Sequence, residues 1–270
     1  MFAIDLAGKN GLILGVTNQR SIAWAISEPL AQAGARLAYS YQADRLRPAL
    51  EKLTSAQDGS LLVECDVQDD AQLDELFATI EREMGTLDFV VHSLAFAPAE
   101  TFANPFVQTE RDAWKTAMDV SAYSLVGVAR RAAPLMTNGG SIVTMSYLAA
   151  ERVVPHYNMM GVAKAALEAS MRYLAYDLGP QGIRVNAISA GPLRTVAARS
   201  ISGFGGMFGE AGKLSMMKRN IEQREVGGAA LALIADQLGS GITGETIYVD
   251  AGFNAIGMFL EEEAEGGAGD

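Results

Sequence analysis

Short apolar runs alternate with longer amphipathic stretches along nearly the whole chain. The runs at 11–15, 35–41, 61–64, 87–92, 140–146, 183–188 and 245–249 are rich in Leu, Ile, Val and Tyr and poor in charge. That is the pattern of strands buried on both faces. Between them, 21–33, 69–84, 109–136, 157–178 and 224–235 carry apolar residues at helical spacing. Gly34 stops the first helix, Pro155 sits just ahead of the fourth, and Gly179-Pro180 ends it. Parallel strands joined by helices predict an α/β fold: one doubly wound, Rossmann-type domain with a seven-stranded parallel sheet and helices on both faces. No linker or shift of composition divides residues 1–260.

One segment breaks the rhythm. Residues 195–218 hold Gly203, Gly205, Gly206, Gly209 and Gly212 among Phe204, Met207, Phe208, Met216 and Met217. The spacing predicts a mobile flap over an apolar substrate pocket. A plain surface loop would account for the glycines but not for the aromatic rings and thioethers.

Composition narrows the function classes. Of the 270 residues, 49% are apolar, enough for a large core, and the net charge of −11 is inconsistent with a basic nucleic-acid footprint. Part of that charge is local: the tail 261–270 carries five acids and no base, and is expected to be disordered. Cys65 is the only cysteine, so no intrachain disulfide can form. The first residues lack the basic segment and apolar run of a signal peptide, and no stretch reads as a membrane span. The expectation is a cytoplasmic protein without membrane or nucleic-acid partners, and no residue grouping is assigned to a metal.

The candidate chemistry lies on the fourth helix. Tyr157 and Lys164 stand seven residues apart, close to two turns, which on a helix over 157–178 puts a phenol and an ammonium on one face about 10 Å apart. Such a pair can serve a substrate carbonyl and a cofactor ribose together. Gly15 follows the first strand without the other two glycines of a dinucleotide fingerprint. Ser21 fits a helix cap as well as it fits a phosphate contact. Gln42, at the end of the second strand, is neutral and suits a free ribose hydroxyl, while Arg45 and Arg47 leave a 2′-phosphate open.

The run Ser146-Tyr147-Leu148 followed by Tyr157-Asn158-Met159-Met160-Gly161-Val162-Ala163-Lys164 resembles the enoyl-acyl carrier protein reductases of bacterial fatty-acid synthesis. These are divergent short-chain dehydrogenase/reductases with a Tyr-x6-Lys pair. The main branch uses Tyr-x3-Lys, which would need tyrosine where this chain has Met160. Gly15-x5-Ser21-Ile22-Ala23 matches the same family, as do Asp66-Val67, Ser93-Leu94-Ala95 (often glycine at the last position) and the segment through Leu193 and Thr195.

The resemblance implies hydride transfer from NADH to an enoyl thioester borne by acyl carrier protein, in a homotetramer. It assigns Tyr157 as donor to the substrate oxygen, Lys164 to the nicotinamide ribose and Tyr147 to the acyl site. The cofactor would lie along Gly15, Ser21, Ile22, Gln42, Asp66, Val67, Ser93, Leu94, Ala95, Leu193 and Thr195. The acyl chain would meet Phe96, Ala97, Tyr147, Tyr157 and Phe204. Arg194, Arg199, Lys213, Lys218 and Arg219 are the cations available to a carrier protein. A ketone reductase of the same superfamily and a catalytically silent nucleotide-binding protein are the rival readings.

Overall fold

Seven strands build the sheet: β1 Asn10–Leu14, β2 Arg36–Tyr41, β3 Leu61–Glu64, β4 Phe89–His92, β5 Gly140–Ser146, β6 Ile183–Ala190 and β7 Thr246–Val249. A computed structural model of the protein describes residues 4–196, 198 and 203–258. All neighbouring strands pair in parallel, in the order β3-β2-β1-β4-β5-β6-β7. The helices are α1 Ile22–Gln32, α2 Arg47–Thr54, α3 Asp70–Met84, α4 Glu100–Ala103, α5 Arg111–Met118, α6 Ser124–Ala132, α7 Met159–Leu178, α8 Phe204–Leu214 and α9 Gln223–Ile234, with a short turn of helix at Asp236–Gly239.

The period of two along each strand sends alternate side chains to two cores. Ile13, Tyr39, Val91, Val143 and Ile188 face α1 and α9, meeting Trp24, Ile26, Leu30, Val226 and Leu233. Leu12, Leu14, Val90, Ile142 and Val185 face the other way, onto Leu73 and Leu76 of α3, Leu125 and Val128 of α6, and Leu167 and Met171 of α7. With both faces covered, the strands need no polar side, which is why they read as continuous apolar runs.

Local signals end the elements where chemistry requires. Asp69 accepts hydrogen bonds from the amides of Ala71 and Gln72, capping α3, and Gly85 closes it at φ 80°. Glu222 and Glu225 form a reciprocal capping box at the start of α9.

The structure departs from the sequence expectation in four places. The helix expected over 157–178 begins at Met159. His156 and Asn158 hold φ of 65° and 42°, so the chain around Tyr157 is a turn and not helix. The helix expected over 109–136 is α5 and α6 joined by a π-helical turn, Asp119–Tyr123, and followed by a 3₁₀ turn, Ala133–Leu135. α2 and the single-turn α4 are not among the helices that the sequence predicts. The segment read as a glycine-rich flap contains an 11-residue helix, α8, entered through Gly203 at φ 73°. Residues 197 and 199–202 of that segment, and the acidic tail 261–270, lie outside the described residues. Among the described residues no helix is long and apolar enough to cross a membrane.

Candidate active site

β1 continues to β2 on one side of it, while β4 lies on the other and leads away through β5 to β7, so the strand order reverses between β1 and β4. In open parallel sheets the crevice beyond the strand ends at such a reversal is where ligands bind. The loop after β1 turns there at Gly15, φ 101°, and a Cβ on it would meet the Ser93 carbonyl oxygen at 2.1 Å. Ser93 N–H in turn donates to Leu14 O at 3.2 Å. One glycine thus does the work at this turn, because the loop after β4 presses directly on it.

Ser21 precedes α1 but does not cap it. Its Oγ accepts from the amides of Thr17 and Asn18 at 3.0 and 3.1 Å, and shares a hydrogen bond with Thr17 Oγ1. The first-turn amides of Ile22 and Ala23 are therefore left without a partner among the described residues. A helix N-terminus with open amides at the mouth of the crevice fits a phosphate group. At the far end, Gln42 Nε2 donates to Asp66 Oδ2 at 3.1 Å, tying the ends of β2 and β3. Val67 and Leu94 pack on the second core, and Ala95 is exposed. These features fit a dinucleotide laid across the strand ends.

Lys164 is buried at 4% exposure on α7. Its Nζ donates to Met145 O at 2.7 Å and lies 3.5 Å from Leu94 O. Burial lowers its pKa to about 8, offset in part by the Glu168 carboxylate. His92 is a packed core residue, bonded to Thr144 Oγ1 at 3.0 Å and Ser124 Oγ at 2.8 Å. Burial and then the Lys164 charge lower it to about 3, so the ring is neutral. The Tyr157 ring stands edge-on to Tyr147, centroids 4.9 Å apart. Burial raises both phenols, Tyr147 to about 12 and Tyr157 further, so each is an O–H donor at neutral pH.

An apolar wall lies beside this pair. Ala97, Phe102, Ala117, Met159 and Met160 form a buried cluster against which Tyr157 and Val162 pack. Met160 is 3% exposed, with Ser121 Oγ 3.7 Å from its sulfur. Phe96, 54% exposed, is held by its backbone: its N–H donates to Ser121 Oγ and Ser121 Oγ donates to its carbonyl. Tyr147 Oη donates to Met207 Sδ at 3.6 Å, bringing α8 over the site. Phe204 packs on Phe208, whose ring lies 4.5 Å from the Arg194 guanidinium carbon. Leu193 is buried in the first core, and Thr195 Oγ1 accepts from Ala198 N at 3.1 Å.

The pair expected on one helix face is therefore arranged otherwise: Lys164 is on α7, and Tyr157 is delivered by the turn before it. Asn158, not foreseen, holds that turn by donating to the carbonyls of Thr101 and Asn104, both at 3.0 Å. Its identity is the one available signal, since asparagine tolerates positive φ better than most residues. Ser121 and Glu168 were also missed, with nothing in their sequence context to mark them, whereas Met207 belongs to the apolar set of the flap named from the sequence. Of the surface cations, Lys213 and Arg219 pair with Glu210 and Glu225, and Arg199 lies outside the described residues.

Comparison with known proteins matches residues 15–254 to the family model described as Enoyl-(Acyl carrier protein) reductase. The chain is 48% identical to the Rhizobium meliloti protein named enoyl-[acyl-carrier-protein] reductase [NADH] 1 over 251 residues, 93% of this chain and 92% of that one. The crystal structure of the Bacillus cereus enoyl-acyl carrier protein reductase with NADP+ and indole naphthyridinone superposes with a TM-score of 0.92 at 46% identity, covering 95% of this chain and 100% of that one. The Anaplasma phagocytophilum enoyl-(acyl-carrier-protein) reductase in complex with NAD gives 0.89 at 45% identity, over 95% and 96% of the two chains.

Proposed function

The chain belongs to the enoyl-(acyl carrier protein) reductase family, and on that premise we propose that it reduces the trans-2 double bond of enoyl-acyl carrier protein with NADH, the last reductive step of fatty-acid elongation. When bound, the dinucleotide supplies the hydride that the β-carbon of the enoyl group accepts. As negative charge grows on the thioester oxygen, a donor aimed at it stabilises the transition state more than the neutral ground state. Tyr157 is that donor: half-buried, protonated and steadied by Tyr147. Lys164 holds the ribose hydroxyls and contributes positive potential to a site of low dielectric.

The observation that carries the reading is Met160. It is buried in the apolar wall at the position where a ketone reductase of the superfamily would need its tyrosine, and it offers no O–H. The Gln42–Asp66 pair supports NADH, since a carboxylate there repels a 2′-phosphate. The solved relatives hold either cofactor, NADP+ in one and NAD in the other, so this pair is what favours NADH here. The exposed rings of Trp114, Tyr173 and Tyr176 support burial of these helices between copies of the chain in a homotetramer.

One assay tests the reading: NADH oxidation with crotonyl thioester against acetoacetyl thioester. Turnover of the crotonyl substrate alone is expected. A preference for the acetoacetyl thioester would make the protein a ketone reductase, and NADH binding without turnover of either would make it a silent nucleotide-binding protein.

A further inference from the structure

Glu168 is an acid with 4% exposure in the interior of α7, one turn beyond Lys164. Ser146 Oγ donates a hydrogen bond to its Oε1. Lys164 Nζ donates to the carbonyl of Met145, the residue before Ser146. Two successive residues at the end of β5 are thus held by two side chains one turn apart on α7, and the next residue is Tyr147, which meets Tyr157 edge-on. A well-packed apolar residue would fill the same space without burying a charge.

We infer that Glu168 is a positioning residue for the reaction: through Ser146 it fixes the strand end that carries Tyr147, and from the shared helix face it keeps Lys164 cationic. The inference rests on the reading of Lys164 as the ribose-binding cation. The carboxylate is held by Ser146 and not by the ammonium, so Lys164 Nζ, which donates to Met145 O, does not spend a proton on Glu168. Burial pushes the Glu168 carboxyl up and the Ser146 hydrogen bond pulls it back; Glu151 and Arg172 then act with opposite signs, and the Thr246 hydroxyl faces it from β7 without completing a hydrogen bond. Lys164 is faced from β4 by His92, which is neutral, so Glu168 is the charge that favours its protonated form.

The test follows the Lys164 side chain directly, by NMR titration of lysine Cε in the cofactor-free protein, assigned against Lys164→Arg. Glu168→Gln is expected to lower the Lys164 midpoint by about one pH unit. It is also expected to raise KM for NADH several-fold at pH 8 with a smaller change in kcat. Ser146→Ala removes the donor that favours the ionised acid, so it should lower the midpoint too, by less than Glu168→Gln does, while raising KM for crotonyl thioester. Should Glu168→Gln fail to fold, the Ser146→Ala titration decides alone. An unchanged midpoint in the folded variants would overturn the proposal and leave Glu168 a structural group. A shifted midpoint with unaltered KM for NADH would instead count against the ribose role of Lys164, so the two failures are distinguishable.

Discussion

The ring of Tyr147 meets the ring of Tyr157 edge-on, with centroids 4.9 Å apart and planes inclined by 63°. One phenol comes from the end of a strand and the other from a turn held by two residues of positive φ, ten positions later in the chain. Edge-to-face contact restrains the Tyr157 ring while leaving its hydroxyl available. Tyr147 spends its own hydroxyl on Met207. The division of labour is thus a donor and a support, and it gives the first expected outcome.

Tyr157→Phe should lower kcat for crotonyl thioester about 100-fold, the usual scale for losing one oxyanion donor. NADH binding, measured by fluorescence, should change little. Turnover equal to the parent at saturating substrate would remove Tyr157 from the donor role.

Lys164→Ala should weaken NADH binding as well as catalysis. Its pKa of about 8 also sets a pH dependence. Below that value the side chain is cationic and the site is competent; above it the proton is lost. kcat/KM for NADH, which reports the free enzyme, should therefore fall as pH rises through about 8. Tyr157, raised by burial, stays protonated over this range. A flat profile from pH 7 to about 9.5 would contradict the assignment.

Cofactor choice should follow the Gln42–Asp66 pair. We expect a higher kcat/KM with NADH than with NADPH, and a shift toward NADPH in Gln42→Arg, where a cation would meet the 2′-phosphate. Equal use of both cofactors by the parent protein would show that these residues do not discriminate.

Gly15→Ala should cost about 2 kcal/mol of stability, because φ is positive there and the new methyl would meet the Ser93 carbonyl. Relief of that clash has to part the loops after β1 and β4, so NADH affinity should fall with the thermal midpoint. A variant with parental stability and affinity would mean that the two loops separate freely.

α8 is expected to become more protected when cofactor and an acyl ligand fill the pocket. Only Ala211 and Gly212 are buried along it, and its links to the site are the Tyr147–Met207 and Arg194–Phe208 contacts. Few buried contacts mean a low cost of local opening, which hydrogen exchange reads directly. Strong and equal protection of residues 204–214 with and without ligands would make α8 a fixed wall.

By itself the sequence determined the parallel sheet and its seven strands, because strands covered on both faces must be apolar throughout and their crossovers must be helical. It also determined the chemical inventory: Gly15 at the first turn, Met160 in place of a tyrosine, Tyr157 and Lys164 seven apart, Gln42 without a cation beside it. What only the tertiary structure decided is how those groups meet. The same-face geometry inferred for Tyr157 and Lys164 assumed a helix that the positive φ of His156 and Asn158 interrupts. The glycines of 203–212 read as flexibility, yet the described part of that segment is helical, since glycine weakens a helix without forbidding one. Ser21 reads equally as a helix cap or a phosphate contact, and the fold instead turns its Oγ toward the Thr17 and Asn18 amides. Glu168, four residues beyond Lys164, carries no signal of its own in the sequence. It became a buried clamp because the end of β5 packs across that face of α7, a contact between segments 22 residues apart that no local pattern encodes.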